Sequence, residues 1–387
     1  MSRYIPLSVP TLKGNELKYV KECIDTEWVS SAGKYVELFE EKIAEFTGAK
    51  YAIACMNGTS ALQISLRLAG VKPGEEVIIP TLTFIAPVNA IAYNNAAPIF
   101  MDADMYFNID VEKTIEFIKY QTIVEGGFTY NKTTKNKISA IVPVHVWGNA
   151  VYLDELVTLC EEHNIAIVED ASESLGTVYS SGKYKSRHTG TIGKLGCLSF
   201  NGNKIITTGG GGMILTDDEE LAEKAYYLTT QSKDDPVRYI HNEIGYNFRL
   251  TNIQAALGVA QLEQLPGFLE RKRENFSQYQ DALQDIKGLK IVNVPNYADN
   301  NHWINILQIN SEIYGEDREA LMHHLEGNGI QTRPVWALNH LQKPYKDCQS
   351  YKIERANKLV EKSLCLPSST NLSDENLNKV MDLLKND

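Results

Sequence analysis

The sequence predicts an α/β fold with a mostly parallel central sheet, followed by a smaller C-terminal part of α+β character. Three observations predict it. Between residues 51 and 200, short apolar runs take turns with helical patterns. Those runs do not alternate apolar with polar, which suits strands buried on both faces of a parallel sheet. Beyond about residue 251 the style changes to one long helical stretch and then to β-type runs mixed with amphipathic helices. A chain of 387 residues is about twice a typical domain, so we expect two units, 1–250 and 251–387.

In order, an N-terminal arm precedes a helix whose apolar residues Val36, Phe39, Ile43 and Phe46 share one face. Strands are expected at 51–55, 76–80, 98–102, 138–144, 165–169 and 196–200, and helices at 61–68, 87–93, 111–119 and 152–163. The polar insert 120–137 breaks this rhythm and reads as a long surface connection. Thr216-Asp217-Asp218-Glu219 has the form of a capping box and opens a helix through Tyr227. The long helical stretch from Thr251 to about Asp285 contains Pro266, which predicts a bend or break there. β-type runs at 289–294 and 303–309 and helices at 318–326, 351–362 and 376–384 complete the chain.

Acidic residues outnumber basic ones 49 to 38, a net charge of −11, which argues against nucleic-acid or anionic-membrane partners because both need a broad basic surface. The six cysteines are scattered, with no CxxC pair and no His/Cys cluster at zinc spacing, so neither a disulfide framework nor a metal site is expected. The opening MSRYIPLSVP lacks an apolar signal core and no stretch is long and apolar enough to span a bilayer. A cytoplasmic protein is expected.

Three short motifs stand where strands end. Asn57-Gly58-Thr59-Ser60 lies between a strand and a helix, where free N–H groups and the helix dipole can hold a phosphate; a plain N-cap would look the same. Glu169-Asp170-Ala171-Ser172-Glu173-Ser174 follows a buried strand, and an acid placed there calls for a cationic partner or serves as a cap. Ser199-Phe200-Asn201-Gly202-Asn203-Lys204 follows another strand, ahead of a β-type run 205–208 and a glycine turn 209–212; alone, Lys204 reads as a surface lysine. Together they form the three fixed points that pyridoxal phosphate needs: a phosphate cup, a carboxylate for its protonated pyridine nitrogen, and a Schiff-base amine.

With these motifs in this order, the sequence resembles the DegT-type sugar aminotransferases, a family of the aspartate-aminotransferase (type I) fold. The resemblance runs through Ser31-Ala32-Gly33, Phe39-Glu40, Asn57-Gly58-Thr59, Thr83-Phe84, Asp102, His145, Gly148, Glu169-Asp170, Ser199-Phe200, Lys204, Gly245-Tyr246-Asn247-Phe248-Arg249 and Gln254 to Gly258. It implies that Lys204 bonds the cofactor and moves the substrate proton, that Asp170 faces the pyridine nitrogen, and that Gly58, Thr59 and Ser199 hold the phosphate. It further implies that Phe84 stacks on the cofactor ring and that Asn247 reaches the phosphate of a neighbouring subunit, hence a homodimer with shared active sites. Relatives that act as pyridoxamine-dependent dehydratases carry histidine in place of the lysine, so Lys204 speaks for an aminotransferase.

Glu173 departs from the glutamine of many members and implies a place beside the cofactor's 3-oxygen and the sugar. Residues 169–176, 199–212 and 333–344 look closest to the 4-aminotransferases of bacillosamine and legionaminic-acid precursors. The resemblance therefore implies a nucleotide-sugar substrate, a 4-keto-6-deoxy hexose with a 2-acetamido group, and glutamate as amino donor. A C3-specific enzyme is the alternative. Trp28, Ser31, Trp336 and His340 are candidates for the sugar pocket, and Lys185 in the basic loop 183–188 for the diphosphate.

Overall fold

The computed structural model describes residues 4–385. A ten-stranded sheet forms its centre. Its main path runs Tyr51–Cys55, Gly212–Thr216, Leu195–Ser199, Ala166–Asp170, Lys137–Ile141, Glu76–Pro80, Ala97–Met101 and Ser350–Tyr351. Gly212–Thr216 is antiparallel to both of its neighbours, and every other pairing on this path is parallel. Val77, Ile79 and Phe100 enter one core while Ile78, Ile99 and Met101 enter another, so successive residues are buried on opposite faces and the strands read as unbroken apolar runs.

Several expectations are corrected. The polar insert is not a loop: Thr122–Glu125 and Phe128–Asn131 form an antiparallel hairpin that adds to the sheet through Lys137–Ile141. A helix that the sequence reading omitted, Glu16–Asp25, lies in the arm. Thr216 ends a strand, and Asp218 caps the helix Glu219–Thr229 by accepting from the Leu221 N–H. The run 205–208 forms no strand; residues 201–211 cross the sheet end as a loop. The helix Asn252–Leu283 is capped by a Thr251/Gln254 box and continues through Pro266. Its first half lies in the main core through Ala255, Val259 and Leu265, and its second half enters the C-terminal core through Tyr279 and Leu283, so both sides of the proline are anchored and the helix does not break there.

That C-terminal core covers a four-stranded antiparallel sheet of Leu289–Ile291, Asn305–Ile309, Ser363–Leu366 and Arg333–Pro334. The N-terminal arm is stitched to the same region. Ile5 exchanges backbone hydrogen bonds with Gly329 and Gln331, and the Val9 N–H donates to Ser369 Oγ at 2.9 Å. Asp102 joins the two regions again: its carboxylate accepts from the N–H groups of Glu354, Arg355 and Ala356, opening the helix Arg355–Lys362, and from Lys113 Nζ at 2.7 Å.

Candidate active site

The carboxyl ends of the parallel strands and the amino end of Gly212–Thr216 meet at one cavity of about 740 Å³. Register fixes this convergence, because Cys55 pairs Gly212, Gly212 pairs Ser199, and Cys197 pairs Asp170. The cavity is lined by Gly58, Thr59, Phe84, Asp170, Glu173, Ser199 and Lys204 from the first part of the chain, and by Trp303, Arg333, Trp336 and Cys365 from the second. Another hollow, about 750 Å³ and lined by Lys72, Lys137 and Lys194, opens at the amino ends of the same strands. Ligands of open α/β sheets bind at the carboxyl ends, so the first is the candidate.

At the helix start, the Asn57 side chain accepts from the Ser60 N–H at 2.8 Å, and the N–H groups of Gly58 and Thr59 have no acceptor within the helix. A Cβ on Gly58 would stand 2.8 Å from the Ser199 Cβ and 3.2 Å from Ser172 Oγ, so only glycine lets the chain close this cup. Gly212 passes equally near: a Cβ there would lie 2.5 Å from the Asn57 carbonyl oxygen, which explains one member of the glycine run.

Deep in the cavity, Lys204 Nζ lies 3.5 Å from Glu173 Oε1 and 4.0 Å from the centre of the Trp303 indole. Burial pushes the Asp170 and Glu173 carboxyls above the ordinary range, opposed by hydrogen bonds and by Lys204. Asp170 Oδ1 accepts from the Ser172 N–H at 3.0 Å, and Glu173 Oε2 from the Trp147 N–H at 2.7 Å. One amine thus faces two buried carboxyls, an arrangement that a cationic ring would complete.

Next to Asp170, Glu169 points the other way and is fully buried. Burial alone would raise its pKa, but His145 Nε2 and the N–H groups of Gly190, Ile192 and Gly193 surround the carboxylate and bring it below the usual value. The Val151 N–H donates to His145 Nδ1, so Nε2 carries the hydrogen given to Glu169. Two successive acids therefore do different work: Glu169 anchors the strand end and Asp170 faces the cavity.

Sequence comparison is decisive. The profile of the DegT/DnrJ/EryC1/StrS aminotransferase family matches residues 10–385. The chain belongs to this family. Among its relatives, GDP-perosamine synthase of Escherichia coli O157:H7 is 38% identical over 96% of this chain and 95% of its own. EpsN of Bacillus subtilis (strain 168), whose name proposes a pyridoxal phosphate-dependent aminotransferase, is 35% identical over 99% of this chain and 96% of its own. The crystal structure of DesI in the presence of its TDP-sugar product superposes with a TM-score of 0.87 at 27% identity, covering 100% of this chain and 93% of that one.

As a DegT/DnrJ/EryC1/StrS aminotransferase, the protein is a transaminase of nucleotide sugars that uses pyridoxal 5'-phosphate. The cavity fits that cofactor: a cup closed by Gly58, an inward carboxyl at Asp170 and a primary amine at Lys204 match phosphate, pyridine nitrogen and aldehyde in chemistry.

Not every residue singled out for this DegT-family site lies in it. Trp336 lines the cavity and stacks on Trp147 at 4.9 Å, with Phe84 6.1 Å from Trp336. His340 does not line it; its Nδ1 is 2.7 Å from Thr81 Oγ1, and burial lowers its pKa. Trp28, Ser31, Lys185 and Asn247 are exposed and lie outside this chain's own cavity lining. The sequence reading passed over Trp147, Trp303 and Arg333 as lining residues. Arg333 has no carboxylate partner among the described residues, and its guanidinium is therefore left for an anionic ligand, which no local sequence feature announces.

Proposed function

We propose that the protein converts a nucleotide-linked 4-keto-6-deoxy hexose, 2-acetamido-substituted, to its 4-amino sugar with glutamate as donor. The observation that carries this reading is Lys204 standing in one cavity with Asp170, Glu173 and the Gly58 cup. When bound, pyridoxal phosphate supplies the carrier for the amino group and a sink for electrons. Lys204 takes the proton from the carbon bearing the incoming amine and returns it one atom along, and its position among Glu173, Asp170 and Trp303 supports that role. Asp170 would hold a proton on the pyridine nitrogen when the cofactor is bound. Gly58, Thr59 and Ser199, which line the cavity, would offer N–H and hydroxyl donors to the phosphate, Phe84 its ring face, and Trp336 and the Arg333 guanidinium contacts to the sugar nucleotide.

Amination at C4 is supported by relatives named GDP-perosamine synthases, perosamine being a 4-amino sugar. A neutral sugar is supported by Glu173, whose carboxylate, paired with Lys204 at 3.5 Å, would meet a uronic acid with like charge. Asn247 is exposed, and the nearby segment exposes Val237, Tyr239, Ile240 and Ile244. Such a surface supports a homodimer in which Asn247 serves the partner's phosphate. The deciding experiment mixes purified protein and glutamate with a panel of nucleotide ketosugars and identifies products by mass and NMR. A 4-amino product is expected; a 3-amino product would refute the regiochemistry.

A further inference from the structure

Trp303 is 4% exposed, lies 99 residues after Lys204 in the chain, and nonetheless forms part of the lysine's surroundings. Its indole N–H donates at 2.7 Å to the carbonyl of Asn203, the residue before Lys204. Its ring face lies 4.0 Å beneath Lys204 Nζ. Both contacts come from one side chain, and they act on the two ends of the lysine: the backbone that bears it and the amine at its tip.

The main chain of Trp303 is itself held from two sides. Its N–H donates to Asn301 Oδ1 at 3.0 Å, and the Asn301 amide donates to the carbonyls of Glu173 and Leu175, the loop that carries Lys204's carboxylate neighbour. Its carbonyl accepts at 2.8 Å from Lys272 Nζ, which also donates to the Ser368 carbonyl. Lys272 is 2% exposed and has no carboxylate partner among the described residues, so its amine is spent on these two carbonyls; burial brings its pKa to about 7. Ser8 Oγ adds a second donor to the Asn203 carbonyl at 3.1 Å. The arm, the long helix and the C-terminal sheet thus all bear on the turn at Lys204.

We infer that Trp303 is a positioning residue for Lys204: its indole N–H fixes the Asn203–Lys204 turn, and its ring face directs the ε-amine into the cavity. A tryptophan that only filled space would leave its N–H to any acceptor and would show no relation to the amine. The inference rests on the reading that Lys204 bonds the cofactor.

Two variants of the cofactor-loaded protein test it. Trp303→Phe keeps a ring face and loses the N–H, whereas Trp303→Leu loses both. The readouts are kcat, KM for glutamate, and the circular dichroism of the cofactor's visible band, which reports the orientation in which Lys204 holds it. Trp303→Phe is expected to lower kcat about fivefold, the size of one positioning hydrogen bond, with KM within about twofold and an altered visible band. Trp303→Leu should lose about tenfold more, the range of a desolvated cation–π contact. If Trp303→Leu does not fold, Trp303→Phe decides alone. Wild-type kcat and visible band in a folded Trp303→Phe would overturn the proposal, as would a loss confined to KM. Borohydride reduction separates the two readings: a label on another lysine in the wild type overturns the Lys204 assignment and this proposal together. A label on Lys204 in every variant, with unchanged band and kcat, overturns the role of Trp303 alone.

Discussion

Replacing Asp170 by asparagine separates what the carboxyl does for the reaction from what it costs the fold. The side chain is 3% exposed, accepts one backbone hydrogen bond from Ser172, and has a pKa raised by burial. Asparagine can still accept from Ser172 and carries no charge. Removing an incompletely paired buried group is worth about 1–3 kcal/mol. Unfolding entropy is about 2.1 cal/mol/K per residue, so for 387 residues the melting temperature of the cofactor-free protein should rise by about 1–4 °C at pH 7. The sign follows from linkage: a carboxyl raised in the folded state binds more protons folded than unfolded. Wild-type stability therefore falls as pH climbs from the unfolded value near 3.9 through the folded one, and the variant lacks that slope. The same change should lower kcat by about 10²–10⁴, the range of a positioned acid–base group. Calorimetry of cofactor-free protein between pH 4 and 7, with glutamate half-reaction rates on loaded protein, measures both. A variant that melts below the wild type at pH 7, or keeps near-normal rates, would refute the reasoning.

Lys204→Ala should abolish turnover while the cofactor still binds without a covalent bond; borohydride labelling of a different wild-type lysine would contradict it. Mixed dimers of a Lys204→Ala chain with an Asn247→Ala chain should regain part of one site's activity, and zero recovery in verified heterodimers would remove Asn247 from the partner's site. Glu169→Gln presents an NH₂ to backbone donors and should cost about 3–5 kcal/mol, roughly 4–6 °C in a chain of this length. Because the Glu169 carboxylate is held below its usual pKa, its stabilisation is present above the unfolded value near 4.3 and disappears as pH falls through the folded value, so the gap should narrow in acid. In competition assays the 4-keto-6-deoxy sugar nucleotide should outpace its 6-carboxylate counterpart, and equal kcat/KM would sink the role given to Glu173.

The strands were legible because parallel burial on two faces leaves a signal within five consecutive residues, as in Glu76–Pro80. The hairpin Thr122–Glu125 and Phe128–Asn131 was not, since an edge hairpin with exposed Ile123, Val124 and Phe128 carries polar residues like those of a loop. The break allowed for at Pro266 is absent for another reason: local sequence registers the lost N–H but not the two cores that grip the helix on either side. At the site, Asp170 and Lys204 became legible only together with the Asn57-Gly58-Thr59 turn, because alone the acid reads as a cap and the lysine as a surface residue. Trp303 and Trp147 did not, because what each touches lies far away in sequence and their own neighbours resemble ordinary core.

The stitching of the arm has a consequence for biosynthesis. Val9 and its partner Ser369 are 360 positions apart, and Ile5 pairs beside Gly329 and Gln331. Residues 5–9 must therefore wait for residues 329–369 to be made, while the sheet from Tyr51 to Thr216 can already assemble around its own neighbours. Leu7 and Ser8 line the cavity, and the edge strand Ser350–Tyr351 also arrives late. A nascent chain halted before these segments emerge would hold the lysine and its carboxylates but lack the wall behind them. Catalytic competence therefore follows the arrival of residues 329–369, and the slow step of maturation should be the closing of this long loop, not the winding of the sheet.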